Sequence, residues 1–270
     1  MKTIVEKTAL IDALEAQWQS IDDLVTPLTD EQWTTATGLP GWTVADVVAH
    51  VIGTESMLDG RTVESIRDVE SLDHVKNSIG VLNENWLDHY RARTRDDVVT
   101  DYRALTAKRV ADLHALDDDA WNADAVTPVG PESYGRFMRV RNFDCWVHEI
   151  DIRDALGLGD PTLSEPARFA LAEFAHNLPY VVGKKARVPA GSAVTFEFVG
   201  LVPSLTHVAV GERAAVVPEL DRGADVTLRM SVADYARLAG GRPGAATATV
   251  VIEGDKAIGD SIADNLHYLI

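Results

Sequence analysis

The chain has one cysteine, Cys145, among 270 residues, so an intrachain disulfide is excluded. It has no long apolar run: no stretch approaches the roughly 20 residues that cross a bilayer. Its first twenty residues, MKTIVEKTALIDALEAQWQS, carry charges throughout, where a secretory leader needs an apolar core. Positive charge is scarce. Lys and Arg number 25 against 42 Asp and Glu, a formal net charge of −17. So acidic a surface repels nucleic acid and anionic membranes and argues against both as partners. A glycine-rich phosphate loop, a serine–histidine–acid order and a CxxC pair are also absent. These absences are read as a soluble, cytoplasmic protein; its oligomeric state is left at monomer or homodimer. The hydrophobic content of 46% suffices for a sizeable core, and the length suits two domains.

The first half of the sequence is patterned for helix. Leu10, Leu14, Ile21 and Val25 form a stripe with Trp18 beside it. Thr29 and Gln32 read as a capping box for a short turn at DEQW. Leu39-Pro40-Gly41 breaks the chain, and Thr43 caps a helix carrying Val44, Val47, Val48, Val51 and Ile52. Further helical stripes run through Val75, Ile79, Leu82, Trp86 and Tyr90, and through Tyr102, Leu105, Leu113 and Leu116. Residues 117–131 read as loop. A last long helix is expected over about Glu132–Leu156, with Phe137, Val140, Phe143, Val147 and Ile150 as its apolar stripe. LGLGDP stops it and marks a boundary. After one more helix, about Ser164–Val182, the period changes to two. Strands are expected at Val194–Phe198, His207–Val210, Ala214–Val217, Asp225–Met230 and Thr247–Ile252, with a helix capped by Ser231 and a closing helix over about Lys256–Leu269.

The chemistry-bearing residues are His50 on the third helical segment and Asp144 and His148 on the last. A carboxylate and an imidazole at i, i+4 share one helix face. Two nitrogens and one carboxylate oxygen are a usual donor set for a catalytic zinc, with a position left for water or substrate. The bland alternative is a helix-surface hydrogen bond between Asp144 and His148, with His50 unrelated. Arg141 and Asp151 lie in line with this pair, either as a solvated face or, if the line borders the core, with Asp151 placed to orient His148 or a bound water and Arg141 to balance the carboxylate charge. Glu149 and Arg153 read as an ordinary surface pair. Cys145 reads as packing; Trp42 and Trp146 are candidates to line the mouth of the site, with packing the preferred reading for both, and His74, His89, His114, His176, His207 and His267 receive no role.

The segments GWTVADVVAH and DCWVHEIDIRDALG resemble the second and last bundle helices of DinB-like enzymes, in the branch called the mycothiol-dependent maleylpyruvate isomerase family. VVIEGD followed by a helix resembles the sterol-carrier-like domain of the same family. The resemblance implies an α+β chain, with a DinB-like four-helix bundle over 1–158 and a smaller α/β sterol-carrier-like domain over 159–270. It implies a divalent metal, zinc first, on His50, Asp144 and His148, although the family's isomerases are usually described with glutamate at the acidic position. It further implies mycothiol as thiol cofactor or cosubstrate, an electrophilic substrate, and S-transfer or cis–trans isomerisation as the outcome. Arg222 and Arg229 become candidates for handling a dicarboxylate. Two other readings stay open: a metal hydrolase that needs no thiol, and a binding protein whose second domain holds an apolar ligand.

Overall fold

The computed structural model describes residues 2–65 and 67–269, which divide after Gly159 into two compact units. The first unit runs α1 (Lys7–Val25), the short α2 (Asp30–Trp33), α3 (Val44–Leu58), α4 (Ser78–Arg91), α5 (Arg95–Ala115), the short α6 (Asp118–Trp121), a hairpin of β1 (Asp124–Thr127) and β2 (Gly130–Ser133), and α7 (Tyr134–Ala155). The four long helices α1, α3, α5 and α7 form the bundle: α1 packs on α5 and α7, and α3 packs on the same two. Leu10, Ile11, Leu14 and Ile21 of α1 are fully buried in it. Each such side chain contributes roughly 1.5–3 kcal/mol relative to exposure. The fourth helix, α4, lies against α3, and Gly53 permits its approach. A Cβ at Gly53 would stand 2.6 Å from Trp86 Cβ.

Local sequence sets the ends of the helices that matter most. Thr43 and Asp46 form a reciprocal capping box that starts α3. Ser133 caps α7 by accepting from the Arg136 backbone N–H. α7 is buried nearly all round from Gly135 to Ile152. Arg139, Arg141, Glu149 and Asp151 of this helix are therefore buried among other elements, while Asp144 keeps a partly exposed side chain.

The loop expected over 117–131 instead holds α6, β1 and the start of β2. Four-residue strands with Pro131 and exposed acidic residues show no period-two pattern. In a two-stranded ribbon both strands are edges, so Pro131 opposite Val126 costs no inner ladder bond.

The second unit opens with α8 (Ser164–Tyr180), continued by one π-helical turn, Val181–Lys185. A five-stranded sheet follows, built from β3 (Ala193–Val199), β4 (Ser204–Val210), β5 (Ala214–Val217), β6 (Val226–Ser231) and β7 (Val251–Gly254). The spatial order is β5-β4-β3-β6-β7; β3 and β6 are parallel, and every other pair is antiparallel. Helices α9 (Val232–Ala239) and α10 (Lys256–Ala263) follow β6 and β7. The core joins Phe174 of α8, Tyr235 of α9 and Phe198 of β3, with ring centroids 4.8 and 5.6 Å from Tyr235. The chain is thus the expected α+β arrangement of a helical unit and a sheet-containing one. Three boundaries differ from expectation by more than two residues. β4 starts at Ser204, three residues before His207. β7 starts only at Val251, because 243–246 form a 3-10 turn. The closing helix ends at Ala263, because the Tyr268 and Leu269 backbone N–H groups donate to Ala239 O at the end of α9.

Candidate metal centre

α3 and α7 pack side by side, which brings His50 opposite Asp144 and His148. One donor atom from each of the three lies within 4.8 Å of the others. His50 Nε2 stands 3.0 Å from Asp144 Oδ2, and His148 Nε2 stands 3.5 Å from Asp144 Oδ1. The two imidazole centroids are 4.7 Å apart. Both rings are buried, whereas 29% of the Asp144 side chain is exposed, so the cluster has a solvent-facing side.

These residues fit a divalent metal by the chemistry of the donor set: two imidazole nitrogens and one carboxylate oxygen converge on one point. His148 is fixed for the task, since its Nδ1 meets Asp151 Oδ2 at 2.9 Å and its Nε2 is thereby turned to the cluster. His50 differs. Its Nδ1 is buried and meets no hydrogen-bond partner among the described residues.

Electrostatics separate the two histidines. Burial lowers the pKa of His50, and the Asp144 carboxylate opposes this without reversing it. Burial also works against protonation of His148, but Asp144 and then Asp151 outweigh it and push the pKa up to about 9. Burial would raise Asp144; the neighbouring His50, His148 and Arg141 overcome it and hold the carboxyl well below the usual range. Without a metal, a proton in the cluster is therefore favoured on His148 over His50, and Asp144 is held in its ionised form.

Behind Asp144 lies a buried ion network. Arg141 donates through Nη1 to Asp144 Oδ2 at 2.5 Å and through Nε to Glu55 Oε1 at 2.9 Å. Arg109 Nε donates to the other Glu55 oxygen at 3.0 Å. Glu55 is fully buried on α3, and sequence reasoning missed it. The available signal was an acidic residue beyond the first turn of a helix otherwise rich in apolar and small side chains.

The structure brings Arg141 and Asp151 to the cluster. It does not make Glu149 and Arg153 a surface pair. Glu149 is completely buried and accepts from Gln17 (2.7 Å) and Ser20 (2.9 Å) of α1 as well as from Arg153 (2.7 Å). The i, i+4 spacing is local, whereas its burial is set by α1. Trp146 is packed as expected, but Trp42 is only partly buried and sits beside the histidines, its ring 5.3 Å from His50 and 6.1 Å from His148. His74, to which no role was given, meets Glu84 at 2.8 Å. Arg222 and Arg229 belong to the second unit. Each is about half exposed and paired there, Arg222 with Asp225 and Arg229 with Glu197. Cys145 is buried, and burial pushes its thiol up to about 12.

Comparison with known proteins agrees with this architecture. Residues 14–153 match the mycothiol maleylpyruvate isomerase N-terminal domain, and residues 168–260 match the C-terminal domain of the same proteins. Two uncharacterized proteins from two strains of Mycobacterium tuberculosis are each 24% identical over 166 residues, or 60% of this chain and 60% of theirs. The match thus spans under two thirds of those relatives' length. The crystal structure of a mycothiol-dependent maleylpyruvate isomerase is similar in fold, with a TM-score of 0.58 at 15% identity, covering 92% of this chain and 93% of that one. A mutant of that isomerase gives 0.56 at 14% identity with the same coverage. The chain belongs to the mycothiol-dependent maleylpyruvate isomerase family.

Proposed function

We propose that this family member is a metal-dependent enzyme of thiol addition, holding a divalent metal, zinc first, on His50, Asp144 and His148 and taking mycothiol as its thiol. The reaction is S-transfer to an electrophile or a maleylpyruvate-type cis–trans isomerisation; both begin with addition of sulfur to an electrophilic carbon. The observation that carries the reading is the convergence of the three donors from two helices, with Asp151 orienting one of them. A divalent metal at these donors supplies a Lewis acid that favours the ionised form of a thiol near neutral pH.

The chain's own residues divide the remaining work. Asp151 holds His148 in the orientation that presents Nε2. Arg141 takes one oxygen of Asp144. That support suits an aspartate, whose side chain is one methylene shorter than the glutamate usual in the family's isomerases. Glu55 holds Arg141 in place. The chain's single cysteine is buried, with its pKa raised to about 12, so the sulfur nucleophile comes from a small-molecule thiol. Arg222 and Arg229 are proposed to receive an acidic substrate, for which each must exchange its present carboxylate partner.

The test combines elemental analysis with turnover. Wild-type protein should hold about one zinc per chain, and His50→Ala or His148→Ala should lose most of it, while Asp144→Glu should keep it. Mycothiol should bind only the zinc-loaded protein, and conjugation or isomerisation of an electrophile should require both. Equal rates without mycothiol would replace this reading with a water-activating hydrolase. Full zinc occupancy in His50→Ala would remove the assigned site altogether.

A further inference from the structure

We propose that Trp42, clamped by Glu84, is the positioning residue for His50, doing for that imidazole what Asp151 does for His148. The inference rests on the reading of His50 as a metal ligand. It starts from the asymmetry between the two histidines. His148 has a carboxylate 2.9 Å from Nδ1, whereas the corresponding nitrogen of His50 is buried without a partner among the described residues. A ligand imidazole usually has its second nitrogen hydrogen-bonded, which fixes the plane of the ring. For His50 that restraint has to come from packing. Besides the partner ligand His148, whose ring is 4.7 Å away, the aromatic ring beside it is Trp42, tilted 41° to the imidazole at 5.3 Å between centroids.

Trp42 is held from both ends. Its backbone sits in a closed turn: Trp42 N donates to Leu39 O at 3.1 Å, and Thr37 donates to Trp42 O through both N and Oγ1 at 2.9 Å. Gly41, at φ +78°, lets the chain turn there, a conformation that costs glycine little. The indole Nε1–H donates to Glu84 Oε1 at 2.8 Å. Glu84 has only 1% of its side chain exposed, and it gathers three further groups, from α4 itself and from the segment before it. His74 Nε2 reaches Oε1 at 2.8 Å, while Arg67 and Arg91 both reach Oε2 at 3.3 Å. A buried carboxylate is unfavourable unless its oxygens are fully engaged. Here the engagement fixes one indole, and that indole is partly exposed and borders the two imidazoles.

The experiment compares full-length wild type with Trp42→Leu, Trp42→Phe and Glu84→Ala. Histidine side-chain NMR spectra of the metal-free proteins are assigned with His50→Gln and His148→Gln. In wild type each ring should give one sharp set of signals. In Trp42→Leu the His50 signals should broaden or split as the ring samples several orientations, while His148 stays sharp through Asp151. Trp42→Phe, which keeps an aromatic face, should restore a single His50 set. The zinc dissociation constant should rise roughly 10- to 100-fold in Trp42→Leu, the range typical for loss of a ligand's supporting partner. Glu84→Ala should broaden His50 as well, and it serves as the readout if Trp42→Leu does not fold. A sharp, single His50 set in both Trp42→Leu and Glu84→Ala, with helix content unchanged, overturns the proposal. Failure of wild type to bind zinc would overturn the metal reading separately, since the NMR comparison needs no metal.

Discussion

The proton on His148 makes metal binding pH-dependent, and the size of the effect follows from the geometry. In the metal-free protein, Asp144 and Asp151 raise this imidazole from 6.5 to about 9, against the effect of burial. Donation from Nε2 to a metal requires that proton to leave. At pH 7 a group with a pKa of about 9 is protonated in a ratio of roughly 100 to 1, which is about 3 kcal/mol of competition. Zinc affinity should therefore climb about tenfold per pH unit from near 7 and level off above about 9, with about one proton released per ion bound. Competition against a chromophoric chelator gives the affinity at each pH, and calorimetry in buffers of different ionisation enthalpy counts the proton. Asp151→Asn removes one of the two carboxylates that favour the imidazolium. Its affinity should level off at a lower pH, but at a ceiling roughly 10- to 100-fold weaker, because the ring is less firmly held. Stability of the metal-free protein moves the opposite way. A pKa raised on folding stabilises fully below the unfolded value of about 6.5, and the contribution is lost as pH rises through about 9. A zinc affinity that is flat between pH 7 and 9, with no proton released, would refute the reasoning.

Other expected outcomes concern the packing around the site. Glu55→Ala should cost about 3–5 kcal/mol in urea unfolding, because it leaves Arg109 and Arg141 buried without their shared carboxylate; a loss under 1 kcal/mol would show that the network is not closed as described. Gly53→Ala should cost about 1–3 kcal/mol, since the added methyl would meet Trp86 at 2.6 Å and α4 would have to shift; an unchanged Tm would contradict that close approach. Cys145 should resist thiol reagents in the folded protein and react on unfolding, and Cys145→Ser should leave thiol-dependent turnover largely intact.

Much of the fold is legible because its signals are local. The Thr29 and Thr43 capping boxes, the stripe of α1, and the alternation of Val194, Phe196 and Phe198 each concern residues a few positions apart. The hairpin after α6 was illegible because a ribbon of four-residue strands imposes no burial period on its sequence. The early end of α10 depends on where the chain end docks against α9, which no local pattern records.

The candidate site divides along the same line. Asp144 and His148 are one helical turn apart, and Asp151 is three residues further on, so spacing alone puts them together. Glu55 meets Arg141 across 86 residues of sequence, and Trp42 meets Glu84 across 42. Such pairs leave no periodic trace, but α7 carries a cue. Its apolar residues are spread around its circumference, and it is buried from Gly135 to Ile152. Most charges on such a helix have no water to face, and an unpaired buried charge is too costly to persist. Arg141, Glu149 and Asp151 therefore each require partners, many of which other elements must supply. Read this way, Glu149 could not be a surface residue once α7 is recognised as the central helix. Its partners, Gln17 and Ser20, are polar positions of α1 that border the buried stripe of Leu14, Trp18 and Ile21. Arg141 poses the same requirement to α3, where Glu55 is the carboxylate that answers it. The charges of a buried helix thus specify their neighbours by chemistry, even where the sequence gives no register for them.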